Sequence, residues 1–172
     1  CDTVEAAVAW TCALERRDGP SALLFSRQNI AFALRSDEAL GQVRRGGYVL
    51  SDAPWAKAVL IATGSEVPLA LEVQKRLAAE DIAVRVVSMP STTVFDRQDA
   101  AYRDSVLPRG LPRVAVEAGV TDFWRKYVGP EGKVVGIDRF GESAPAGDLF
   151  KHFGLTPENV EAALREIRLA LL

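Results

Sequence analysis

Hydrophobic residues follow two patterns along this chain. Short continuous apolar runs of strand length alternate with longer segments in which apolar residues recur every three or four positions. The runs predict strands at 48–50, 58–62, 82–88, 113–117 and 133–137. The segments between them predict helices at 66–80, 99–106 and 121–128, and a last helix that begins at 157. Because continuous apolar runs are typical of strands covered on both faces, the pattern predicts an open, mostly parallel α/β sheet, with 48–50 as an edge strand.

The last helix has the clearest signal in the sequence. Thr156 can cap it, and Pro157 suits its first position, where the missing amide proton costs no helical hydrogen bond. One face of the helix is apolar and consists of Val160, Ala163, Leu164, Ile167 and Leu171. We expect that face to be buried.

The first 46 residues do not continue the alternation of strand and helix. Asp2 and Glu5 have the spacing of a capping box, and helical periodicity follows as far as Arg17, where Asp-Gly-Pro at 18–20 ends it. The apolar run 21–25 predicts a buried strand, and polar and charged residues are dense from 30 to 46. We therefore expect a linker within 30–46, at which a piece of one domain gives way to a complete second domain near Gly46 and Gly47.

The turn at 63–66 follows the carboxyl end of a predicted strand, the place where parallel α/β sheets bind ligands. Its amides open a helix that Ser65 can cap, and amides at such a position can hold a phosphate. The turn has only one glycine, Gly64, and the chain contains neither GxGxxG nor GxxxxGK followed by Ser or Thr. Since Glu66 would also repel an anion, we interpret the turn as structural.

Other candidate side chains have a structural interpretation beside the chemical one. His152 is the only histidine and lies in an amphipathic segment, which favours a packing or surface role over catalysis or a metal site. Glu117 and Glu142 follow strands, where carboxylates can transfer protons or hydrogen-bond to a loop. The aromatic residues at 123, 124 and 127 are expected in the core or an interface, because no basic stripe accompanies them.

Composition limits the possible partners. The chain has 21 basic and 23 acidic side chains, a formal net charge of −2 and no run of one sign, which argues against nucleic acid and membrane surfaces. No apolar stretch approaches the ~18 residues of a membrane span, and no signal peptide precedes the first helix. Cys1 and Cys12 form no metal-binding pair, Cys12 is expected as a buried free thiol, and this indicates a reducing, cytoplasmic setting. Because the first residue is not methionine, we expect a fragment of a larger protein.

Arg27 directly follows an apolar run and lies among the polar residues Ser26, Gln28 and Asn29. A guanidinium at the end of a strand is a good bidentate ligand for phosphate, because its planar donors match two phosphate oxygens. Spacing alone leaves a phosphate clamp and a surface ion pair equally open.

Seven segments of the chain form a recognisable set. They read GPSALLFSRQN at 19–29, RGGYVL at 45–50, ATGSEV at 62–67, RVVSMPS at 85–91, YRDSVLP at 102–108, RVAVEAG at 113–119 and FGESAPA at 140–146. These segments resemble those of transketolases, occur in the order and at the spacing of that family, and together extend over nearly the whole chain. Other thiamine-dependent enzymes with this fold do not share the set, so the resemblance is specific to transketolases. The segments resemble those of the bacterial type.

This resemblance implies three α/β domains in a homodimer. The first two domains, from different subunits, bind thiamine diphosphate and a divalent metal, Mg²⁺ or Ca²⁺. The third is distant from the chemistry and is a three-layer α/β/α domain with a mostly parallel, mixed five-stranded sheet. Residues 1–36 then correspond to the end of the middle, pyrimidine-binding domain, 37–46 to a linker, and 47–172 to the C-terminal domain.

The resemblance also implies a reaction, the transfer of a two-carbon ketol unit from a ketose phosphate to an aldose phosphate in the pentose phosphate pathway. Arg27 matches the arginine of the family's SRQN segment that binds the sugar phosphate, and it is the only active-site residue that we carry over. The family's catalytic histidines, its cofactor-activating glutamate and its metal ligands match no position here. We therefore expect the chain by itself to be inactive and not to bind thiamine diphosphate. The alternative is a module that binds a small regulatory anion near Gly64 or Gly119.

Overall fold

The computed structural model describes residues 1–167, and a five-stranded sheet lies at their centre. The strands lie in the order β1-β3-β2-β4-β5, where β1 is Tyr48–Ser51, β2 Ala58–Ala62, β3 Val84–Ser88, β4 Arg113–Val116 and β5 Lys133–Val135. β1 runs antiparallel to β3, and the other pairs are parallel. The prediction of a mostly parallel, mixed five-stranded sheet with 48–50 at its edge is confirmed.

Helices cover both faces of the sheet. Their bounds are α1 Thr3–Glu15, α2 Asp37–Gln42, α3 Val67–Ala78, α4 Thr92–Asp96, α5 Ala100–Val106, α6 Arg125–Val128, α7 Ala146–His152 and α8 Pro157–Glu166. α3 and α8 pack on one face, and α4, α5 and α6 pack on the other. The fold therefore has the three α/β/α layers that the resemblance implied.

The central strand β2 separates the two hydrophobic cores. Leu60 contributes to the core under α3 and α8, whereas Val59 and Ile61 point into an aromatic core on the opposite face, and all three are fully buried. This alternation follows from the period of two in a strand, and the lack of polar residues in β2 follows from its cover on both faces. Burial of apolar surface at about 25 cal/mol per Å² makes these cores the main source of stability.

Two helix starts are formed as the sequence predicts. At α1, the carboxylate of Asp2 accepts a hydrogen bond from the amide of Glu5 at 3.2 Å. At α8, Thr156 caps the helix and Pro157 is its first residue. Of the predicted apolar face of α8, Leu171 lies outside the described residues and the other members are buried, namely Val160, Ala163, Leu164 and Ile167.

The predicted strand at 21–25 is wrong for the structure described. These residues carry no regular secondary structure, and Leu24 and Phe25 are 90% and 52% exposed. A strand needs a neighbouring backbone to complete its hydrogen bonds, and within residues 1–167 no other segment pairs with this run. An apolar run alone therefore does not suffice to form a strand here.

Ser65 and Cys12 also differ from the prediction. Ser65 does not cap α3 but lies inside a 3-10 turn, Gly64–Glu66, where its hydroxyl donates to the carboxylate of Glu66 at 2.9 Å. Helix α3 starts after that turn, so the position that requires a cap lies beyond Ser65. Cys12 is a free thiol but only half-buried, because α1 is covered along only part of its surface.

The predicted linker contains regular structure, since α2 and a 3-10 turn at Val43–Arg45 occupy most of it. The division of the chain at 36 and 46 stays a prediction. No helix among the described residues is both long and apolar enough to cross a membrane.

Candidate functional site at the carboxyl edge of the sheet

The predicted site residues gather at the carboxyl edge of the sheet. Strands β2, β4 and β5 run parallel, so the turns that contain Gly64, Glu117 and Ile137 follow them at the same edge. The segment that carries Arg27 reaches this edge as well, since the hydroxyl oxygen of Ser26 lies 3.4 Å from the place where a Cβ on Gly64 would stand. The first 30 residues and the α/β sheet thus meet at one site.

Arg27 lines a cleft of about 490 Å³ at this edge. The cleft lies between the Arg27 segment, the turn after β4, the loop after β5 and helix α7, and its other walls include Gln28, Ala118, Ile137, Glu142, Phe150 and Phe153. The Arg27 side chain is exposed and forms no ion pair or hydrogen bond with any residue in the described part of the chain. The sequence left two interpretations of Arg27 open, a phosphate clamp and a surface ion pair. No residue in the described part of the chain supplies the acidic partner that a surface ion pair requires.

His152 belongs to a surface cluster on one side of the cleft. Its Nε2 lies 3.1 Å from a carboxylate oxygen of Glu142 and 2.6 Å from a guanidinium nitrogen of Arg139. The ring also packs edge-on against Phe153, and about half of the side chain is exposed. Within residues 1–167 no three His, Cys, Asp or Glu side chains are placed to hold a metal ion. This geometry agrees with the surface role that the sequence favoured for His152.

Glu117 hydrogen-bonds to the aromatic core below the edge. Its carboxylate accepts a hydrogen bond from the indole nitrogen of Trp124 at 2.6 Å. Burial raises the pKa of Glu117, and the bond from Trp124 opposes that rise only in part. Glu117 thus acts as a hydrogen-bonding residue with a specific partner, Trp124. Trp124 lies in the core, as expected.

Glu66 is turned inward, which the sequence did not indicate. The residue is only 3% exposed, and burial raises the pKa of its carboxyl group to about 7. The hydroxyl of Ser65 and the amide of Ala118 hydrogen-bond to it and oppose this rise, while the nearby charge of Glu117 adds to it. The sequence indicated only that Glu66 would repel an anion, and the position of this carboxylate between an apolar strand and an apolar helix was the available signal for burial.

A second cluster, at the start of α1, was also missed. We call it the Asp2 network, and it consists of Asp2, Glu5, Arg35, Tyr48 and Ser88. The guanidinium of Arg35 donates to both carboxylate oxygens of Asp2, at 2.7 and 2.9 Å. The hydroxyl of Tyr48 donates to Glu5 at 2.8 Å, and that of Ser88 donates to the same oxygen at 2.5 Å.

The charges of the Asp2 network are held away from water. Asp2 and Glu5 are 5% and 2% exposed, so burial by itself would raise the pKa of Asp2, but the bonds from Arg35 and from backbone amides lower it. The three-residue spacing of Asp2 and Glu5 places both carboxylates on one side of α1. That spacing was visible in the sequence, whereas Arg35 lies 33 positions from Asp2 and was not linked to it.

Comparison with known proteins identifies the family of this chain. Residues 46–156 match the family model described as the transketolase-like TK C-terminal domain. The chain is 57% identical to Transketolase 1 of Vibrio cholerae over 169 residues and 60% identical to Transketolase 2 of Pasteurella multocida over 172. Each alignment covers 97% of this chain but only 25% and 26% of the relative, so the chain spans about a quarter of their length.

The fold agrees with solved structures of the same family. The structure of transketolase from Leishmania mexicana superimposes with a TM-score of 0.88 at 44% sequence identity. The superposition covers 96% of this chain and 24% of that chain. The SRQN segment, the carboxyl-edge turns and the five-stranded sheet therefore occur together in a chain that belongs to the transketolase family.

Proposed function

We propose that this chain is the carboxyl-terminal part of an enzyme that transfers a two-carbon ketol unit between sugar phosphates. In the complete enzyme, a homodimer, thiamine diphosphate supplies the chemistry of carbon–carbon bond cleavage and formation. The substrates are a ketose phosphate as donor and an aldose phosphate as acceptor. Membership of the family, together with the identity to curated relatives along nearly the whole chain, supports this proposal.

Within this reaction, Arg27 binds the phosphate group of the sugar. The observation that carries this role is the placement of its exposed guanidinium on a cleft at the carboxyl edge, without an acidic partner in the described residues. A dianionic phosphate can accept two charge-assisted hydrogen bonds from one guanidinium. Each such bond contributes roughly 1.5–3 kcal/mol.

We assign no residue of this chain to the cofactor or to its metal, Mg²⁺ or Ca²⁺. A divalent metal needs several oxygen ligands at one point, and residues 1–167 bring no three candidate ligands together. Arg27 binds and orients the phosphate-bearing end of the substrate. Its contribution is therefore to substrate binding, which sets the Michaelis constant when donor binding is at equilibrium.

The alternative of a regulatory anion module receives no support from the geometry. Its two candidate positions are the turn at Gly64 and the loop at Gly119. A carboxylate lies beside each of them, Glu66 at the first and Glu117 at the second. An anion at either position would meet a negative charge whenever that carboxyl group is ionised.

The phosphate role is tested by replacing Arg27 with Ala in the full-length enzyme. The KM for a phosphorylated ketose should rise roughly tenfold or more, since ~1.4 kcal/mol corresponds to a factor of ten, while the KM for an unphosphorylated ketose should change little. Arg27→Lys should give an intermediate value, because an ammonium group cannot donate in the bidentate geometry.

Arg109→Ala is the matched control for this experiment. Arg109 is an exposed arginine whose Nε donates to Asp104 at 2.9 Å, in the loop that leads into the opposite end of β4. Its removal should leave both Michaelis constants unchanged. Equal effects of Arg27→Ala on phosphorylated and unphosphorylated donors would refute a phosphate contact.

A further inference from the structure

The Asp2 network lies across the junction between the first 36 residues and the five-stranded sheet. Asp2 and Glu5 lie at the start of α1, and Arg35 precedes α2, whereas Tyr48 is in β1 and Ser88 ends β3. Because the predicted division of the chain falls between residues 36 and 47, the two groups of side chains lie on opposite sides of it. Their hydrogen bonds therefore connect two parts of the chain that the sequence assigns to different domains.

Glu5 is the residue at which the two sides meet. One oxygen of its carboxylate accepts hydrogen bonds from the hydroxyls of Tyr48 at 2.8 Å and Ser88 at 2.5 Å. Tyr48 and Ser88 are opposite each other in the antiparallel pair of β1 and β3, so the sheet presents both hydroxyls at one place. Burial, and then the charge of Glu5, raises the pKa of Tyr48 above its ordinary value, so its hydroxyl stays protonated as a donor.

Arg35 connects both sides of the junction as well. Its guanidinium donates to the two carboxylate oxygens of Asp2 at 2.7 and 2.9 Å, and its Nε donates to the hydroxyl oxygen of Tyr48 at 2.9 Å. A guanidinium nitrogen also lies 3.6 Å from the Glu5 carboxylate. Because the donors of a guanidinium lie in one plane with fixed directions, these contacts determine how α1 is oriented on β1.

An exposed ion pair spans the same junction and shows the contrast. Arg44 and Glu15 lie 2.5 Å apart and join the end of α1 to the 3-10 turn Val43–Arg45, but both side chains are more than half exposed. Exposed pairs of this kind contribute little, since water and salt compete with them. In the Asp2 network, by contrast, the side chains of Asp2, Glu5 and Arg35 are at most 3% exposed.

Burial gives the network its effect on orientation. Two domains usually move relative to each other unless their interface is large and apolar. A buried ion pair need not add much stability, but displacing one of its members leaves a buried charge without a partner, which is strongly unfavourable. The docked arrangement satisfies these charges together, whereas a small rotation of α1 on the sheet would separate several of them at once.

We propose that the Asp2 network holds the first 36 residues and the sheet domain in one fixed orientation, so that residues 37–46 do not act as a hinge. The regular structure within 37–46, α2 and the 3-10 turn, agrees with this role. The fixed orientation does not depend on the phosphate role of Arg27, since Arg27 is not a member of the network.

Tyr48→Phe in the 172-residue chain tests this, because all members of the network are present there. The substitution keeps the buried ring but removes the hydroxyl that contacts both Glu5 and Arg35. Hydrogen–deuterium exchange should accelerate roughly tenfold or more at the amides of α1 and α2, although the substituted residue lies in the sheet. Exchange in β2 and β4 should stay constant, and a cooperative urea transition establishes that the variant is folded.

Glu5→Gln is the second variant and changes the network from the side of the helix. Glutamine keeps the length and an acceptor oxygen but loses the charge that faces Arg35. It should also accelerate exchange in α1. In the double variant with Tyr48→Phe the acceleration should be smaller than the product of the two single effects, because both substitutions remove parts of one interaction.

Glu15→Gln is the matched control. It lies on the same helix and breaks the exposed pair with Arg44, so exchange in α1 should not change. The amino group of Cys1 also pairs with Glu5. Tyr48→Phe leaves that pair in place, so its effect on α1 cannot arise from the charge of the first residue.

Three results would overturn the inference. The first is unchanged exchange of α1 in both Tyr48→Phe and Glu5→Gln, which would mean that the network does not hold the helix on the sheet. The second is equal acceleration in α1, β2 and β4, which would show a general loss of stability. The third is a double variant whose effect equals the product of the single effects, since the two side chains would then act independently.

Discussion

At the scale of single residues, the buried carboxyl group of Glu66 makes stability depend on pH. Burial, and then the charge of Glu117, raises the pKa of Glu66 to about 7 in the folded chain, above the ordinary value of 4.5. The folded state therefore holds this proton more tightly than the unfolded state does. The resulting stabilisation is fully present below about pH 4.5 and is lost as the pH rises through 7.

Glu66→Gln should remove this dependence. The amide cannot ionise, yet its oxygen still accepts the bonds from Ser65 and Ala118. At pH 8 the free energy of unfolding should exceed that of the parent chain by roughly 1–3 kcal/mol, and near pH 4.5 the two should agree. Urea unfolding at both pH values measures the difference. Exposed Glu131 is the control, since Glu131→Gln should show no pH-dependent gain. A constant difference between parent and Glu66→Gln at both pH values would contradict this account.

These residues also show how far the sequence predicts the site. Arg27 could be proposed as a site residue because it lies just after an apolar run within a recognisable segment. The inward orientation of Glu66 could not be predicted, because the same turn exposes or buries a carboxylate depending on which residues pack against it in the tertiary fold. The pairing of Asp2 with Arg35 depends on a 33-residue separation that is set only by the tertiary fold.

At the scale of elements, Gly46 marks the junction between the first 45 residues and the sheet. It ends the 3-10 turn Val43–Arg45 with φ of +85°, and its carbonyl accepts a hydrogen bond from the amide of Ser91 at 2.9 Å. A Cβ here would overlap the carbonyl oxygen of Ser91 and would lie 2.6 Å from the amide nitrogen of Phe95. The junction thus needs glycine for both its conformation and its close contact with α4.

Gly46→Ala should therefore lower the free energy of unfolding by more than the positive φ alone explains. Gly110 supplies the control, since its φ is +86° but no atom lies within 4 Å of a Cβ built there. We expect Gly110→Ala to lower the free energy of unfolding by roughly 1 kcal/mol and Gly46→Ala to lower it by roughly 2 kcal/mol beyond that, because the backbone of α4 must move. Urea unfolding of both variants gives the comparison, and equal losses would show that α4 does not crowd Gly46.

The predicted elements succeed where the pattern is long or, as for the short run 48–50, where a neighbouring strand is available for pairing, and they fail where neither holds. Strands β2 and β3 and helix α8 follow from runs or periods of at least five residues. The short helices α2 and α4 have six and five residues, too few for a helical period to repeat. The only signals of these helices in the sequence are the capping residues Ser36 and Ser91. The run 21–25 has the composition of a strand, but pairing decides whether a strand forms.

At the scale of the whole molecule, exposed apolar surface is unevenly distributed. Among the described residues, most of the large hydrophobic side chains that are exposed lie in the first 40 positions, namely Trp10, Leu14, Leu24, Phe25, Phe32, Leu34 and Leu40. Beyond that point they are scattered, as is normal for a soluble domain. This asymmetry fits the predicted division, in which the first 36 residues belong to a domain whose remaining layers are formed by other parts of a longer enzyme.

The same division leads to a prediction for the isolated 172-residue chain, which should neither bind thiamine diphosphate nor transfer a ketol unit. The cofactor needs a diphosphate pocket with a metal, and Arg27, the one active-site residue that we propose, would contact only the far end of the substrate. Titration calorimetry with thiamine diphosphate and Mg²⁺ should show no saturable heat, whereas the full-length enzyme should bind under the same conditions. A cooperative urea transition of the same sample establishes that the chain is folded. Saturable binding by the folded chain at micromolar cofactor would place part of the cofactor site within these residues, and the assignment of residues 47–172 to a domain distant from the chemistry would then be wrong.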